Sequence, residues 1–230
     1  MTRNTKPFKY PMSRMELLCG YVFLPIYIII LPTLVVLTAT SINPNLSGNT
    51  LSVIFYLISF VIVFIVFRNY LKKSFSDFLD SKISSILSVI TGYLGYYIIM
   101  YLVSLVLWGL HAGTNPNDEA IFEQVKLNPN TMIAISVLLG PIVEETLFRG
   151  IVFGSIRRKN RSAAYVISFL IFGAYHLWEY FVAGFDGTGA FNWSLLLNML
   201  EYLPGSLALA WCYEKSNTIW APIFLHMLIN

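Results

Sequence analysis

Charged residues are scarce in this chain, and their scarcity excludes most soluble folds. Only 12% of the 230 residues are Asp, Glu, Lys or Arg, whereas soluble domains carry about 25%. Apolar residues make up 57%, and the mean hydropathy is +0.67. This balance predicts an all-α, polytopic transmembrane helix bundle that contacts the lipid bilayer, with no nucleic-acid partner.

Cysteine is also rare, and a cleavable leader is not evident. The two cysteines, Cys19 and Cys212, both lie in apolar runs and form no CxxC pair, which excludes a disulfide framework. The basic N-terminus is followed by an apolar run that exceeds the usual signal-peptide core and lacks a small-x-small site near its end. The first run is therefore predicted to be a membrane helix.

Apolar runs predict about seven helices. They cover residues 16–40, 51–67, 83–108, 131–154, 162–178, 193–213 and 218–230. Residues 68–82 carry apolar side chains at helical spacing among charges, which is typical of a segment in the interface plane. Residues 109–130 and 179–192 are predicted to be loops. The last run is short against the roughly 20 residues of a full span, so we expect a half-span or one more helix beyond Asn230.

The basic residues alternate between the two ends of this predicted bundle. All lysines and arginines except Lys126 and Arg149 fall in the N-terminus or in the second, fourth and sixth connections. Cytoplasmic loops carry the excess of Lys and Arg in membrane proteins. The pattern therefore predicts a cytoplasmic N-terminus, and the short loops are typical of a bacterial cytoplasmic membrane protein.

Two adjacent carboxylates and an arginine interrupt the fourth apolar run. An ionised group at the centre of a membrane helix costs about 2.5–3.5 kcal/mol even on the lowest scales, so such residues are functional candidates. Glu145 and Arg149 are at positions i and i+4 in the favourable order for an ion pair. Glu144 points about 100° away from Glu145 and is predicted to be a general base. A purely structural triad is the alternative, although packing does not require a second carboxylate.

Two histidines lie in other apolar runs at a similar depth. His176 follows Phe172 by four residues, and His226 precedes Asn230 by four. A rise of about 1.5 Å per residue puts Glu145, His176 and His226 at comparable distances from the basic ends of their helices. A carboxylate or a histidine can take a proton from water, and His and Asn can donate hydrogen bonds to an oxyanion. The residue types therefore favour hydrolysis.

Other hydrolytic chemistries find less support in the sequence. Glu144, His176 and His226 could bind zinc, but no HExxH pattern is present, so zinc is only a possible cofactor. No serine-protease GxSx motif occurs inside a helix, and Asp186 lies in a predicted loop without a second intramembrane aspartate. Serine and aspartyl intramembrane proteolysis are therefore disfavoured.

Together, the three motifs resemble those of the CPBP family, the CAAX-protease and bacteriocin-processing membrane proteases also called the Abi family. Glu144, Glu145 and Arg149 match EExxxR; Phe172 and His176 match FxxxH; His226 and Asn230 match HxxxN. The resemblance covers about residues 131–230. It divides the chain into residues 1–130, with the basic tail and the first three membrane helices, and a protease core from 131 to 230 in one bundle.

The resemblance implies an intramembrane endopeptidase whose eukaryotic relatives remove the last three residues of prenylated CAAX proteins. By this resemblance Glu144 activates water with help from His176, while His226 and Asn230 hold the oxyanion. The supporting residues are Glu145, Arg149 and Phe172. Glu144, His176 and His226 are the ligands if a metal is bound, as in a metalloprotease.

The expected substrate is a membrane-associated peptide or a lipidated protein. Bacteria mostly lack prenylated CAAX proteins, so a peptide pheromone or a bacteriocin is the expected class. Two alternatives stay open at this point. One is a noncatalytic immunity or scaffold protein that binds a partner in the same pocket, and the other is a small transporter that uses the glutamates as a proton relay.

Overall fold

The computed structural model describes residues 8–183 and 194–230. Within those ranges the chain forms nine helices and no strand. They are α1 (Arg14–Ile42), α2 (Gly48–Val66), α3 (Arg68–Asp80), α4 (Lys82–Gly109), α5 (Pro116–Leu127), α6 (Pro129–Arg157), α7 (Arg161–Ala183), α8 (Ser194–Ser216) and α9 (Trp220–Ile229). The predicted loop from residue 184 onward, with Asp186, and the first seven residues of the basic tail lie outside the described residues.

Six of these helices are long and apolar enough to cross a membrane. They are α1, α2, α4, α6, α7 and α8, with 19 to 29 residues each, and about 20 are needed to span. The seventh predicted helix is α9, which has ten residues. The all-α, polytopic bundle predicted from composition is confirmed.

The loop predicted for residues 109–130 is wrong, because most of it is the helix α5. Asn115 caps this helix by accepting a hydrogen bond from the Asn117 backbone N–H at 3.1 Å, and Pro116 takes the first helical position, where its missing N–H costs nothing. Acidic residues in the first turn and Lys126 in the last turn suit the helix dipole. The residues at its two ends therefore stabilise a helix in a segment whose polar composition predicts a loop.

Helix α6 is the centre of the bundle. In the most apolar 18-residue segment of α6, 56% of the residues are buried, whereas 17% are buried in the corresponding segments of α1, α2 and α4. Helices α1, α2, α7, α8 and α9 all pack against it. The lipid-facing helices therefore shield α6 from hydrocarbon, so its charged residues can be satisfied by protein groups.

Helix α6 is also irregular on both sides of Glu144. Ala134–Leu139 and Glu145–Phe153 have π-helical hydrogen bonding, in which each turn holds one more residue than an α-helical turn. Such turns are rare and frequently occur at functional sites. Apolar periodicity does not distinguish them from a regular helix, so the sequence predicts only a continuous helix here.

Candidate active site

Three helices bring a carboxylate and two imidazoles together. Glu144 comes from α6, His176 from α7 and His226 from α9. The Glu144 Oε2 atom lies 4.0 Å from His176 Nε2 and 3.9 Å from His226 Nε2. The Glu144 and His226 side chains are each 7% exposed and that of His176 is 17% exposed, so the cluster is buried but open on one side.

Glu145 and Arg149 form the predicted ion pair, and both side chains are fully buried. Arg149 Nη1 donates to Glu145 Oε1 at 3.0 Å. The guanidinium lies over the Phe172 ring, 4.1 Å from its centre, which adds a cation–π interaction. The same Glu145 oxygen contacts His226 Nδ1 at 2.8 Å. Glu145 therefore connects the arginine to the catalytic candidate on α9.

Hydrogen bonds fix the tautomers of the two histidines. His176 Nδ1 lies 2.8 Å from the Phe172 carbonyl oxygen, which can only accept, so this nitrogen carries a proton. His226 Nδ1 faces the Glu145 carboxylate and carries a proton for the same reason. When neutral, each ring turns an unprotonated Nε2 toward Glu144. His176 also stacks on Tyr202, with ring centres 4.6 Å apart.

The two histidines differ in the charge behind them. His226 has a buried carboxylate on its Nδ1, whereas His176 has a neutral carbonyl there. His226 is therefore the better donor to an oxyanion, and His176 the better acceptor of a proton from water.

A chain of tyrosines, which sequence reasoning missed, reaches Glu144 from the other side. Tyr56 on α2 donates to Glu144 Oε1 at 3.2 Å. Its hydroxyl lies 3.5 Å from that of Tyr175, which in turn lies 2.7 Å from that of Tyr27. Phenol groups inside apolar helices were the available signal, but 14 tyrosines in the chain gave no way to choose among them.

Asn230 lies in the same cavity as the other candidates but points toward α6. Its Nδ2 donates to the Ser136 carbonyl oxygen at 2.8 Å. One amide hydrogen is therefore engaged, and the second remains for a substrate oxygen. The structure thus gathers Glu144, His176 and His226 and places Asn230 along the cavity wall.

The cluster lies in a cavity of about 580 Å³. This volume falls within the range of roughly 300–1,000 Å³ that is usual for ligand sites. Its polar lining includes Glu144, His176, His226, Asn230 and Tyr56, and most of the remaining lining is apolar. Such a cavity can hold an apolar peptide segment beside a few polar groups.

The three candidate metal ligands do not fit zinc as they are placed. Tetrahedral zinc with bonds of about 2.0–2.1 Å holds neighbouring ligand atoms roughly 3.4 Å apart. The Glu144 oxygen lies 3.9–4.0 Å from the two imidazole nitrogens. No group of three His, Cys, Asp or Glu side chains within the described ranges has the geometry of a metal site.

Comparison with known proteins finds a protease family that the C-terminal part of the chain resembles. Residues 126–230 match the model described as type II CAAX prenyl endopeptidase Rce1-like, and this segment contains all the motif residues described above. The chain is therefore similar to this endopeptidase family over slightly less than half of its length.

Three curated relatives of this chain come from bacteria. The Bacillus subtilis (strain 168) protein named "Putative membrane peptidase YdiL" is 28% identical over 78% of this chain and 68% of its own length. The Staphylococcus aureus (strain USA300) protein named membrane-embedded CAAX protease MroQ is 29% identical over 60% of this chain and 53% of its own length.

A third relative, UPF0177 protein YaiF of Lactococcus lactis subsp. lactis (strain IL1403), is 26% identical over 63% of this chain and 58% of its own length. The chain thus spans between 53% and 68% of the length of these three relatives. No solved structure matches it significantly. The six apolar helices of this chain and the names of these relatives support a protease that is embedded in the membrane.

Proposed function

We propose that this protein is an intramembrane endopeptidase in which Glu144 activates the attacking water. The observation that carries this is the spacing of about 4 Å between Glu144 Oε2 and each imidazole Nε2. A water oxygen could lie about 2.8 Å, a usual hydrogen-bond length, from both Glu144 Oε2 and one imidazole Nε2. The angle at the water oxygen between these two atoms would then be near 90°. The two hydrogens of the water would point at two acceptors, and its lone pairs at a substrate carbonyl.

In the proposed reaction the water oxygen attacks the scissile carbonyl carbon. The new C–O bond forms as one water proton passes to the Glu144 carboxylate, and His176 holds the second hydrogen. The carbonyl oxygen takes the electron pair of its double bond and becomes an oxyanion. The C–N bond then breaks, and the proton on Glu144 goes to the leaving nitrogen. The products are one peptide with a new carboxyl group and one with a new amine.

The oxyanion is proposed to be stabilised by His226 and Asn230. Protonated His226 offers an Nε2–H backed by the Glu145 carboxylate, and the free amide hydrogen of Asn230 offers a second donor. Donors fixed in a buried site stabilise developing charge more strongly than they do in water. Glu145, Arg149 and Phe172 act behind them, because they orient His226 and balance its charge.

The proposed substrate is a membrane-associated peptide or a lipidated protein. The apolar lining of the cavity supports an apolar segment or a lipid chain beside the scissile bond. The printed name of MroQ describes a CAAX protease, which supports the lipidated class, and a bacteriocin or pheromone precursor suits the same cavity. The proposed location is a bacterial cytoplasmic membrane with the N-terminus in the cytoplasm.

The test is cleavage of a quenched-fluorescence library of lipidated peptides by purified protein in detergent. Glu144→Gln should lower kcat at least about 10²-fold, the lower range for a lost general base, with unchanged thermal unfolding. Asp80→Asn, at the exposed end of α3 and away from the cavity, is the control for loss of one carboxylate charge and should leave cleavage intact. Full cleavage by the Glu144→Gln protein would refute the proposal. A biological phenotype that survives this change would favour the noncatalytic binding alternative.

Chelation tests the zinc alternative in the same assay. We expect unchanged cleavage after treatment with EDTA or 1,10-phenanthroline, because the proposed proton acceptors are protein side chains. Loss of cleavage that zinc alone restores would instead assign Glu144, His176 and His226 to a metal site.

A further inference from the structure

The catalytic cavity lies entirely in one half of the bundle. Its walls come from residues 28–36 of α1, 51–56 of α2, 132–144 of α6 and 175–180 of α7, together with the end of α9. One side of α5 completes the rim, with Asn117, Ala120 and Gln124 facing the cavity. All of these segments lie between Glu144 and the end of the bundle where α5 sits.

Hydrogen bonds hold α5 at this rim. Asn49 Nδ2 on α2 donates to the Gln124 carbonyl oxygen at 3.3 Å. Tyr180 on α7 donates through its hydroxyl to the Pro116 carbonyl oxygen at 3.0 Å. Helix α5 therefore bridges α2 and α7 beside the opening, which makes it a fixed edge of the entrance.

The opposite half of the bundle is closed beneath Glu144. All nine residues of Glu145–Phe153 are buried. Beyond them the Tyr70 and Tyr213 hydroxyls meet at 3.0 Å in a buried contact, and the Phe8 ring packs edge-on against Tyr213, with centres 5.2 Å apart. A peptide or a stream of water from this end would have to pass through packed side chains.

A second surface concavity at that closed end does not reach the site. It lies between α4 and α8 and is lined by Ile83, Trp211 and Lys215 among others. None of its lining residues belongs to the three motifs or to the walls of the catalytic cavity. It therefore offers no alternative entrance to Glu144.

The closed end is the basic end. It carries Arg14, the positive charges of α3 and the cluster 157–161, whereas the rim carries Lys126, which is paired with Glu123 at 2.7 Å. Rim carboxylates include Asp118, Glu119 and Glu179. Because positive charge marks the cytoplasmic side of a membrane protein, the cavity opens on the opposite side.

We infer that substrates enter from the non-cytoplasmic face: the bond cleaved is in a membrane-attached polypeptide whose scissile segment is exposed on the outer surface of the membrane. This inference rests on the proposed function. It predicts that exported or outward-facing segments are cleaved, and that segments confined to the cytoplasm are not.

Cysteine accessibility tests the entrance without any measurement of cleavage. In a background with Cys19→Ser and Cys212→Ala, Ser52→Cys reports the cavity and Lys215→Cys reports the basic end. A membrane-impermeant maleimide added to intact cells should label Ser52→Cys and leave Lys215→Cys unlabelled. Permeabilised cells should show both labelled. Ala120→Cys, on the cavity side of α5, serves as a second probe if Ser52→Cys lowers the yield of folded protein.

Two results would overturn the inference. One is labelling of the cavity probes only in inside-out vesicles. The other is a lack of labelling from either face in protein with unchanged thermal unfolding. Because labelling needs no turnover, it identifies the entrance even if Glu144→Gln retains cleavage, so the failure of one proposal is distinguishable from the failure of the other.

Discussion

Tyr56 donates a hydrogen bond to the Glu144 oxygen that does not face the histidines. In the proposed reaction, this bond holds the carboxylate so that its other oxygen faces the attacking water. A hydrogen bond to a charged group contributes about 1.5–3 kcal/mol. We therefore propose that Tyr56 is a positioning residue, which acts on the reaction through Glu144.

Tyr56→Phe should lower kcat by roughly 10-fold or more, as expected for a lost hydrogen bond to a charged group, with little change in KM. Tyr93→Phe, which removes a hydroxyl bonded to Tyr97 on the exposed side of α4, is the control. An unchanged kcat in Tyr56→Phe would contradict this role.

Arg149 balances the negative charge of Glu145, and water reaches neither group because both side chains are fully buried. Arg149→Met should destabilise the protein by about 3–5 kcal/mol, the cost of removing one partner of a buried pair. The double variant Glu145→Gln/Arg149→Met should recover part of this loss because it removes the unpaired charge. Thermal unfolding in detergent measures both, and a double variant no more stable than the single one would argue against the pair.

For individual residues, the sequence predicts the level in the membrane at which the site lies better than it predicts which atoms of the site are in contact. Glu144, His176 and His226 could be placed at one level because helical rise is constant. Which oxygen faces which ring, and that Tyr56 joins them, depends on how the helices are rotated and which are neighbours. Those quantities come from packing, which a single sequence does not report.

Helix α9 is held in place by a close contact with α4. It carries His226, and it contacts α4 where Gly92 leaves room: a Cβ at Gly92 would lie 2.7 Å from Leu225 Cδ2. Gly95, one turn away on the same helix, has no neighbouring atom within 4 Å of such a Cβ. The two glycines therefore form a matched pair for testing this interface.

Gly92→Leu should displace α9 and lower both thermal stability and cleavage, with an overpacking cost of about 1–3 kcal/mol. Gly95→Leu should leave both nearly unchanged. Differential unfolding and the peptide assay, run side by side, measure the effect. Equal losses in the two variants would mean that a general effect of adding a bulky side chain to α4, and not the contact with Leu225, is responsible.

Helix α5 shows how far element prediction from composition extends. Hydropathy finds the spans because about 20 apolar residues are an unambiguous signal. Whether a short polar segment forms a helix depends on the residues at its ends, here Asn115, Pro116 and Lys126. These residues contribute little to a hydropathy average taken along the sequence. The helix that forms the rim of the cavity was therefore the one predicted as a loop.

For the whole molecule, the distribution of charge predicts the orientation in the membrane. Alkaline phosphatase fused after Gly113, at the acidic end, should be active in a bacterial host, because this enzyme folds only after export. The same reporter fused after Lys159, in the basic cluster, should be inactive. A fluorescent protein fused at that position should be fluorescent, because it would lie in the cytoplasm. The reverse pattern would show an external N-terminus and would contradict the positive-inside reading.

The π-helical turns of α6 have a consequence for how the site can be lost. Each such turn holds one residue more than an α-helical turn, so the stretch Glu145–Phe153 sets the rotational phase between Glu144 and the basic end of the helix. One residue inserted between Gly150 and Phe153 and continued as α-helix would rotate the carboxylate by about 100° relative to that end. A single-codon insertion could therefore inactivate the site while leaving every motif side chain present in the sequence.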